Sequence, residues 1–295
     1  GANNTSMGMC SLFANTTGSN NVALGLEAGK NITTGVKNVA IGNYSVHENQ
    51  TAEQNVGIGD AALYQATAGC NTAIGAEAGN RTTSGFSNVY VGAFAGTLNT
   101  TGKCNVFIGQ ETGYNNTTAG CNVFLGFKAA LANTTGSTNV AVGRCALKGV
   151  TTGTNNTAIG DFAGADAVAN IVDSGSNHIV LGNNNSAVAK IKIDWTVTSD
   201  ARDKMNIENV PHGLNFVNQL NPIKFDFKKS RDNATPHGKT KYGFKAQDIM
   251  ALEGNNPIII NDDDPEHLGY TAANMVPVLV NAIKELKARI EVLEN

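Results

Sequence analysis

An asparagine returns every 17 residues through the first half of this chain, and that period limits the fold more than any other feature of the 295-residue sequence. It opens a pentad, Asn-[Val/Thr]-x-[Ile/Leu/Val]-Gly, that begins at Asn21, Asn38, Asn55, Asn71, Asn88, Asn105, Asn122, Asn139 and Asn156, with one step of 16. A degenerate tenth copy occupies residues 177–182. A second element usually follows, as in Gly25-Leu26-Glu27-Ala28-Gly29, and a Thr-Thr-Gly or Thr-Ala-Gly turn often precedes the next asparagine. A unit this short buries no core alone, so neighbouring units must stack. In Asn38-Val39-Ala40-Ile41-Gly42 the β-branched residues alternate with a small one, which is the two-residue period of a strand. Glycine at this density would cost a helix about 1 kcal/mol per residue, whereas after a strand it supplies a positive-φ corner. An asparagine at one fixed register predicts a stacked amide ladder with one rung per coil. The fold class is therefore mainly β, a β-roll or β-helix stalk. At about 4.8 Å per stacked strand, nine coils reach on the order of 43 Å.

A change of composition divides the chain near residue 183. Residues 1–182 hold 28 of the 33 glycines, none of the six prolines and 16 charged side chains; residues 183–295 hold every proline and 29 charged side chains. Such a shift marks a domain boundary. The expected organisation is a repeat segment over 1–182, a linker over 183–198 opened by the turn-forming run Asn183-Asn184-Asn185-Ser186, and a second domain over 199–295. Alanine and glycine dominate the second element of each coil. One chain then has little bulk for its own core, and packing several chains together would remove that deficit.

The repeat resembles the heads and shafts of trimeric adhesins and phage fibres, whose coils carry similar Asn-x-x-Ile-Gly strands. The second half is more specific. Thr198-Ser199-Asp200-Ala201-Arg202-Asp203-Lys204 leads into residues 213–222 and the strand Ile223-Lys224-Phe225-Asp226-Phe227. Tyr242-Gly243-Phe244-Lys245-Ala246-Gln247-Asp248, Leu268-Gly269-Tyr270-Thr271 and a closing run over 275–286 follow. In this order the blocks resemble the intramolecular chaperone auto-processing domain, or peptidase S74 domain, of endosialidase-type phage tail spikes and fibres. The resemblance covers residues 197–295. It implies a homotrimer with a small α+β chaperone domain that ends in a helix. It also implies a Ser199–Lys204 dyad that cuts between Thr198 and Ser199.

The residues themselves set conditions on that chemistry. Ser199-Asp200 ahead of charged residues also suits a helix N-cap, and Lys204 alone suits a solvated surface. A serine hydroxyl becomes a good nucleophile when a neutral amine takes its proton, and burial favours the neutral amine. On an ideal helix the two side chains point about 140° apart. Ser199 must therefore lie in an extended lead, or the lysine must come from a neighbouring chain. Residues 275–295 read as a helix with a seam at Leu279, Ile283, Leu286, Ile290 and Leu293, spaced 4, 3, 4, 3. An amphipathic helix packed on its own domain is the competing reading. Ile-and-Leu seams favour two strands in parallel coils, so the trimer rests on the resemblance.

The remaining features are mostly exclusions. A formal net charge of −3 gives no basic field for nucleic acid, and no apolar run is long enough for membrane insertion. Residues 1–10 lack the charged-then-apolar layout of a signal peptide. Five cysteines without CxxC spacing suggest reduced thiols. Cys70, Cys104 and Cys121 share the register just before a pentad asparagine, with Cys145 on another edge. Asp262-Asp263-Asp264 lacks calcium-loop spacing, and His47, His178, His212, His237 and His267 lack zinc spacing, so neither metal nor cofactor is expected. Glu27, Glu77 and Glu111 occupy one repeat register, which suits a scaffold better than the facing carboxylates of a glycosidase. The favoured function is a viral tail-fibre or spike segment, assembled in the host cytoplasm and carried in the virion. Its partners would be itself and a host-surface glycan or receptor. A bacterial surface adhesin and a glycan-degrading spike are the alternatives.

Overall fold

The computed structural model describes residues 1–166, 171, 173–186, 190, 192, 197–262 and 265–294. Half of the linker expected at 183–198, two aspartates of the acidic run (Asp263 and Asp264) and Asn295 lie outside the described residues. The chain divides into two units, residues 1–184 and 185–295.

Unit one is a β-solenoid. Among the described residues, eleven three-residue strands run from β1 (Thr5–Met7) to β11 (Ile179–Leu181) and form one parallel sheet in strict chain order. Register partners sit one repeat apart: Val22 opposite Val39, Val106 opposite Val123, and Val56 opposite Thr72 at the 16-residue step. β1 belongs to a further coil, at Asn4-Thr5-Ser6-Met7-Gly8, that the pentad pattern passes over because methionine stands where Ile, Leu or Val is required.

The strand pleat decides what fills the interior. Only the middle residue of each strand points inward, so Ala23, Ala40, Ala73, Tyr90, Phe107, Phe124 and Ala141 are fully buried. The β-branched residues on either side face outward and stay partly exposed. Bulk inside the coil is shared between that middle residue and the position six further on. Gly57 faces Val46, and a β-carbon on Gly57 would lie 2.6 Å from the valine. Where the middle residue is aromatic the distant position is small, glycine after Tyr90 and Phe107 and Ala130 after Phe124: a β-carbon at Gly96 would come within 2.4 Å of Tyr90, and one at Gly113 within 2.7 Å of Phe107. Phe107 and Phe124 stack at 4.8 Å with planes 7° apart. With Ile32, Leu63, Leu147 and Val150 also buried, one chain fills its own core. That corrects the expectation of a core too thin for a single chain. Counting alanine and glycine in one element missed the large residues elsewhere in the coils, among them Tyr90, Phe107 and Phe124 on three successive strands.

Two buried asparagine columns run beside this core. The pentad asparagines are buried throughout. The Oδ1 of each accepts the backbone N–H of the next pentad asparagine, as from Asn38 to Asn21 at 2.9 Å and from Asn122 to Asn105 at 3.0 Å. Their Nδ2 donates to a turn carbonyl 14 residues on, from Asn21 to Gly35 and from Asn105 to Ala119, both at 2.9 Å. A second column, which sequence reading passed over, links Asn133 to Asn116 and Asn116 to Asn99 at 2.8 Å each. Asn99 also donates to the buried Tyr90 hydroxyl at 2.6 Å.

The corners depend on left-handed backbone. The pentad glycine has φ near 130°, and at Gly92 a β-carbon would lie 2.6 Å from the backbone of Gly109 in the next coil. Residues just before the pentad asparagine also have positive φ, including Cys70, Cys104 and Cys121. These three thiols are exposed and free, and Cys104 lies one coil from Cys121. Cys145 is free and buried on a different corner.

Unit two contains α1 (Leu214–Val217), the hairpin β12 (Ile223–Ser230) and β13 (Asn233–Gly243), and α2 (Ala246–Glu253). The short pair β14 (Ile260–Asn261) and β15 (Gly269–Tyr270) precedes α3 (Ala272–Glu294). Its core gathers Phe216, Ile249, Ile259, Ile260, Met275 and Val278. The helix starts at Ala272, three residues before the 275 expected from sequence.

Asn105→Ala leaves the Asn122 N–H buried without a partner, while the Ala119 carbonyl keeps its bond from Asn116 at 3.2 Å, which predicts a loss of about 1–3 kcal/mol. Asn155→Gly removes only an exposed bond to Asn177 and tolerates the left-handed backbone there (φ 56°), so it should stay within about 0.5 kcal/mol. Denaturant unfolding of the two variants beside wild type checks the contrast.

Candidate active site

Ser199 and Lys204 meet across one turn of 3-10 helix, Ala201–Asp203. Asp200 before the turn and Lys204 after it are both extended. The chain therefore doubles back within five residues, and Lys204 Nζ donates to Ser199 Oγ at 2.8 Å. Neither an α-helix nor a continuous strand would permit this contact. Backbone bonds from Asp203 to Asp200 and from Lys204 to Ala201, each 3.2 Å, close the turn. The Asp200 carboxylate accepts the Arg202 backbone N–H at 2.9 Å and the Arg202 Nε at 3.1 Å. The bond from the Arg202 side chain is the main reason the Asp200 carboxyl lies below the usual carboxylate range. Thr198, Ser199 and Lys204 are all exposed, and no residue of the turn is buried.

Downstream, the chain is tied to α3. Glu285 accepts the Leu214 N–H at 2.9 Å at the start of α1, and Asn281 Nδ2 donates to the Val210 carbonyl at 3.1 Å. A β-carbon on Gly213 would fall 1.9 Å from the Glu285 carboxylate, so a larger residue here would displace that side chain. Glu253, at the end of α2, accepts the N–H groups of Ile258 and Ile259 at 2.9 Å and of Ile260 at 3.3 Å. Sequence reading assigned no role to Asn281, Glu285 or Glu253. Their contacts span loops and tens of residues, which no local period records.

α3 buries Met275, Val278 and Ala282 against its own domain. The seam residues lie elsewhere on the helix surface: Leu279, Ile283, Leu286, Ile290 and Leu293 are 41%, 67%, 47%, 45% and 85% exposed. In unit one, Glu27 bonds Lys30 and His47 at 3.0 Å each, and Glu111 pairs with Lys128 at 3.3 Å. The Lys30 bond first, then His47, holds the Glu27 carboxyl below its usual range. The three glutamates stand in one column on separate coils rather than facing across a cleft. Among the described residues no cluster of His, Cys, Asp or Glu could hold a metal, and no helix is long and apolar enough to cross a membrane.

Residues 199–257 match the family model described as chaperone of endosialidase, Peptidase S74. This segment is similar to the chaperone-of-endosialidase family. Its match begins at Ser199 itself and takes in the turn, α1, the hairpin and α2, so α3 lies beyond it. The chain thus joins a β-solenoid to a segment that matches the chaperone-of-endosialidase family. No curated protein and no solved structure matches it.

Because Arg202 lowers the Asp200 pKa, their bond is present above the ordinary carboxylate range and is lost as pH falls through the lowered value. Arg202→Ala should move the Asp200 titration up toward the ordinary range, read by NMR of the side-chain carboxyl. An unchanged midpoint would show that the contact contributes nothing.

Proposed function

We propose that the chain is a segment of a homotrimeric viral tail fibre or spike for host attachment, whose chaperone domain aligns three chains and is then released by a cut between Thr198 and Ser199. The 2.8 Å contact between Lys204 and Ser199, at the first residues of the family match, carries this reading. In the cut, Lys204 as free amine takes the Ser199 Oγ proton. The oxygen attacks the Thr198 carbonyl carbon, the Thr198–Ser199 amide bond breaks, and the proton passes to the departing Ser199 nitrogen. Water then hydrolyses the Thr198 ester, leaving a Thr198 carboxylate and the Ser199 hydroxyl. A lysine does this only as the neutral amine, which burial favours. Both side chains are exposed in the single chain, so the reading places the trigger in assembly, where neighbouring chains exclude water.

Two apolar surfaces support three-chain assembly. One is the exposed α3 seam. The other is the outer sheet face, where the first and third strand positions from Val22 to Ile159 hold only Val, Ile, Leu and two threonines. Interface centres are depleted of charge in this way. A second copy of the same solenoid offers the same spacing along its whole length, so side chains on facing sheets can interlock coil by coil. Host attachment follows from the likeness to tail fibres; the receptor, a glycan or a protein, would contact unit one.

Intact mass spectrometry of the expressed protein should find fragments 1–198 and 199–295, while Ser199→Ala and Lys204→Ala should each leave one full-length chain. A wild-type chain that stays whole, or variants that still cut, would overturn the dyad.

Ile283→Asp combined with Ile290→Asp places charge on a seam that the chain itself leaves uncovered. The double variant should lose the three-chain species in light scattering and leave the repeat unit aggregated through its uncovered apolar sheet face. Assembly at the wild-type level would assign α3 to its own domain alone.

A further inference from the structure

Lys204 reaches Ser199 only because the chain turns between them, and nothing beneath the turn explains why it forms. Five extended residues would separate the two by about 17 Å, and a regular helix would point them apart. The turn is three residues long, buries none of them, and has the two backbone bonds from Asp203 and Lys204. A single helical turn is unfavourable by itself, because several dihedrals are fixed for each bond gained. The remaining local support is the Asp200 side chain, whose Oδ1 accepts the Arg202 N–H at 2.9 Å and satisfies a donor that the turn leaves unpaired.

We propose that Asp200 is a positioning residue for the processing reaction, whose carboxylate caps the turn that folds Lys204 onto the Ser199 hydroxyl. This rests on the Ser199–Lys204 reading above. Asp200 does not touch the reacting atoms; it raises the fraction of chains in which base and nucleophile are in contact, and the cleavage rate follows that fraction. Its ion pair with Arg202 is secondary, since the Arg202 side chain is 89% exposed and such pairs contribute little in water. The cap therefore matters through its acceptor oxygen rather than its charge. Asparagine carries the same acceptor and caps about as well as aspartate, whereas alanine does not cap.

The full chain and three variants test this, with the first-order appearance of fragments 1–198 and 199–295 followed by intact mass spectrometry and assembly followed by light scattering. Asp200→Ala is expected to assemble like wild type and to cut roughly five- to tenfold more slowly, the effect of losing a typical cap. Asp200→Asn should restore the rate to within about twofold, and Arg202→Ala should stay within the same range. Asp200→Ala cutting at the wild-type rate would overturn the proposal. So would Asp200→Asn as slow as Asp200→Ala, which would make charge the active feature. An Asp200→Ala chain that assembles poorly would place the residue in folding and overturn the positioning role. A wild-type chain that never cuts removes the processing reading itself, and that outcome is distinct because it appears before any variant is compared.

Discussion

The buried asparagine column is the constraint on which unit one depends. A solenoid corner leaves a backbone N–H and a turn carbonyl inside the coil with no strand to pair them, and each would cost about 1–3 kcal/mol unpaired. One amide solves both problems. Its oxygen takes the next coil's N–H and its nitrogen reaches the turn carbonyl 14 residues on. A hydroxyl donates and accepts through a single atom, whereas the amide directs an oxygen and a nitrogen to two separate groups. Because each asparagine is satisfied partly by its neighbours, coils support one another and the spacing is held at 17 residues. The single 16-residue step keeps the column intact, with Asn71 N–H still donating to Asn55 at 3.0 Å.

Once the column sets the spacing, the pleat sorts the side chains. Small or aromatic residues go inward, with a small residue six positions beyond each aromatic one, and the outer strand positions face solvent. The solenoid thereby closes its own core and still presents an uncharged apolar sheet face. In unit two, α3 similarly buries Met275 and Val278 while leaving its heptad positions exposed. Each unit is internally satisfied and yet carries an apolar surface suited to further copies of itself.

Much of this was legible in the sequence because the governing interactions are local or strictly periodic. The pentads mark nine of the eleven described strands, the tenth degenerate copy marks β11, and only β1 escaped, through Met7. The second asparagine column was not legible, because Ile32, Ala66, Thr82 and Val150 interrupt its register. The direction of the strand side chains was not legible either. Alternation gives two faces but does not say which is inside, and Tyr90, Phe107 and Phe124 at the small-residue position could have pointed outward.

The sequence alone determined the repeat period, the strands and the boundary between two chemically different units, because each of these is written in spacing and composition; Ser199 and Lys204 were singled out by the resemblance to the peptidase S74 domain. Tertiary structure decided which face of the sheet fills the core, which positions of α3 remain uncovered, and that Lys204 lies 2.8 Å from Ser199. Those outcomes depend on how a chain turns and on which groups compete for the same volume or the same hydrogen-bond partner, and neither is recorded in the order of residues along a strand or helix.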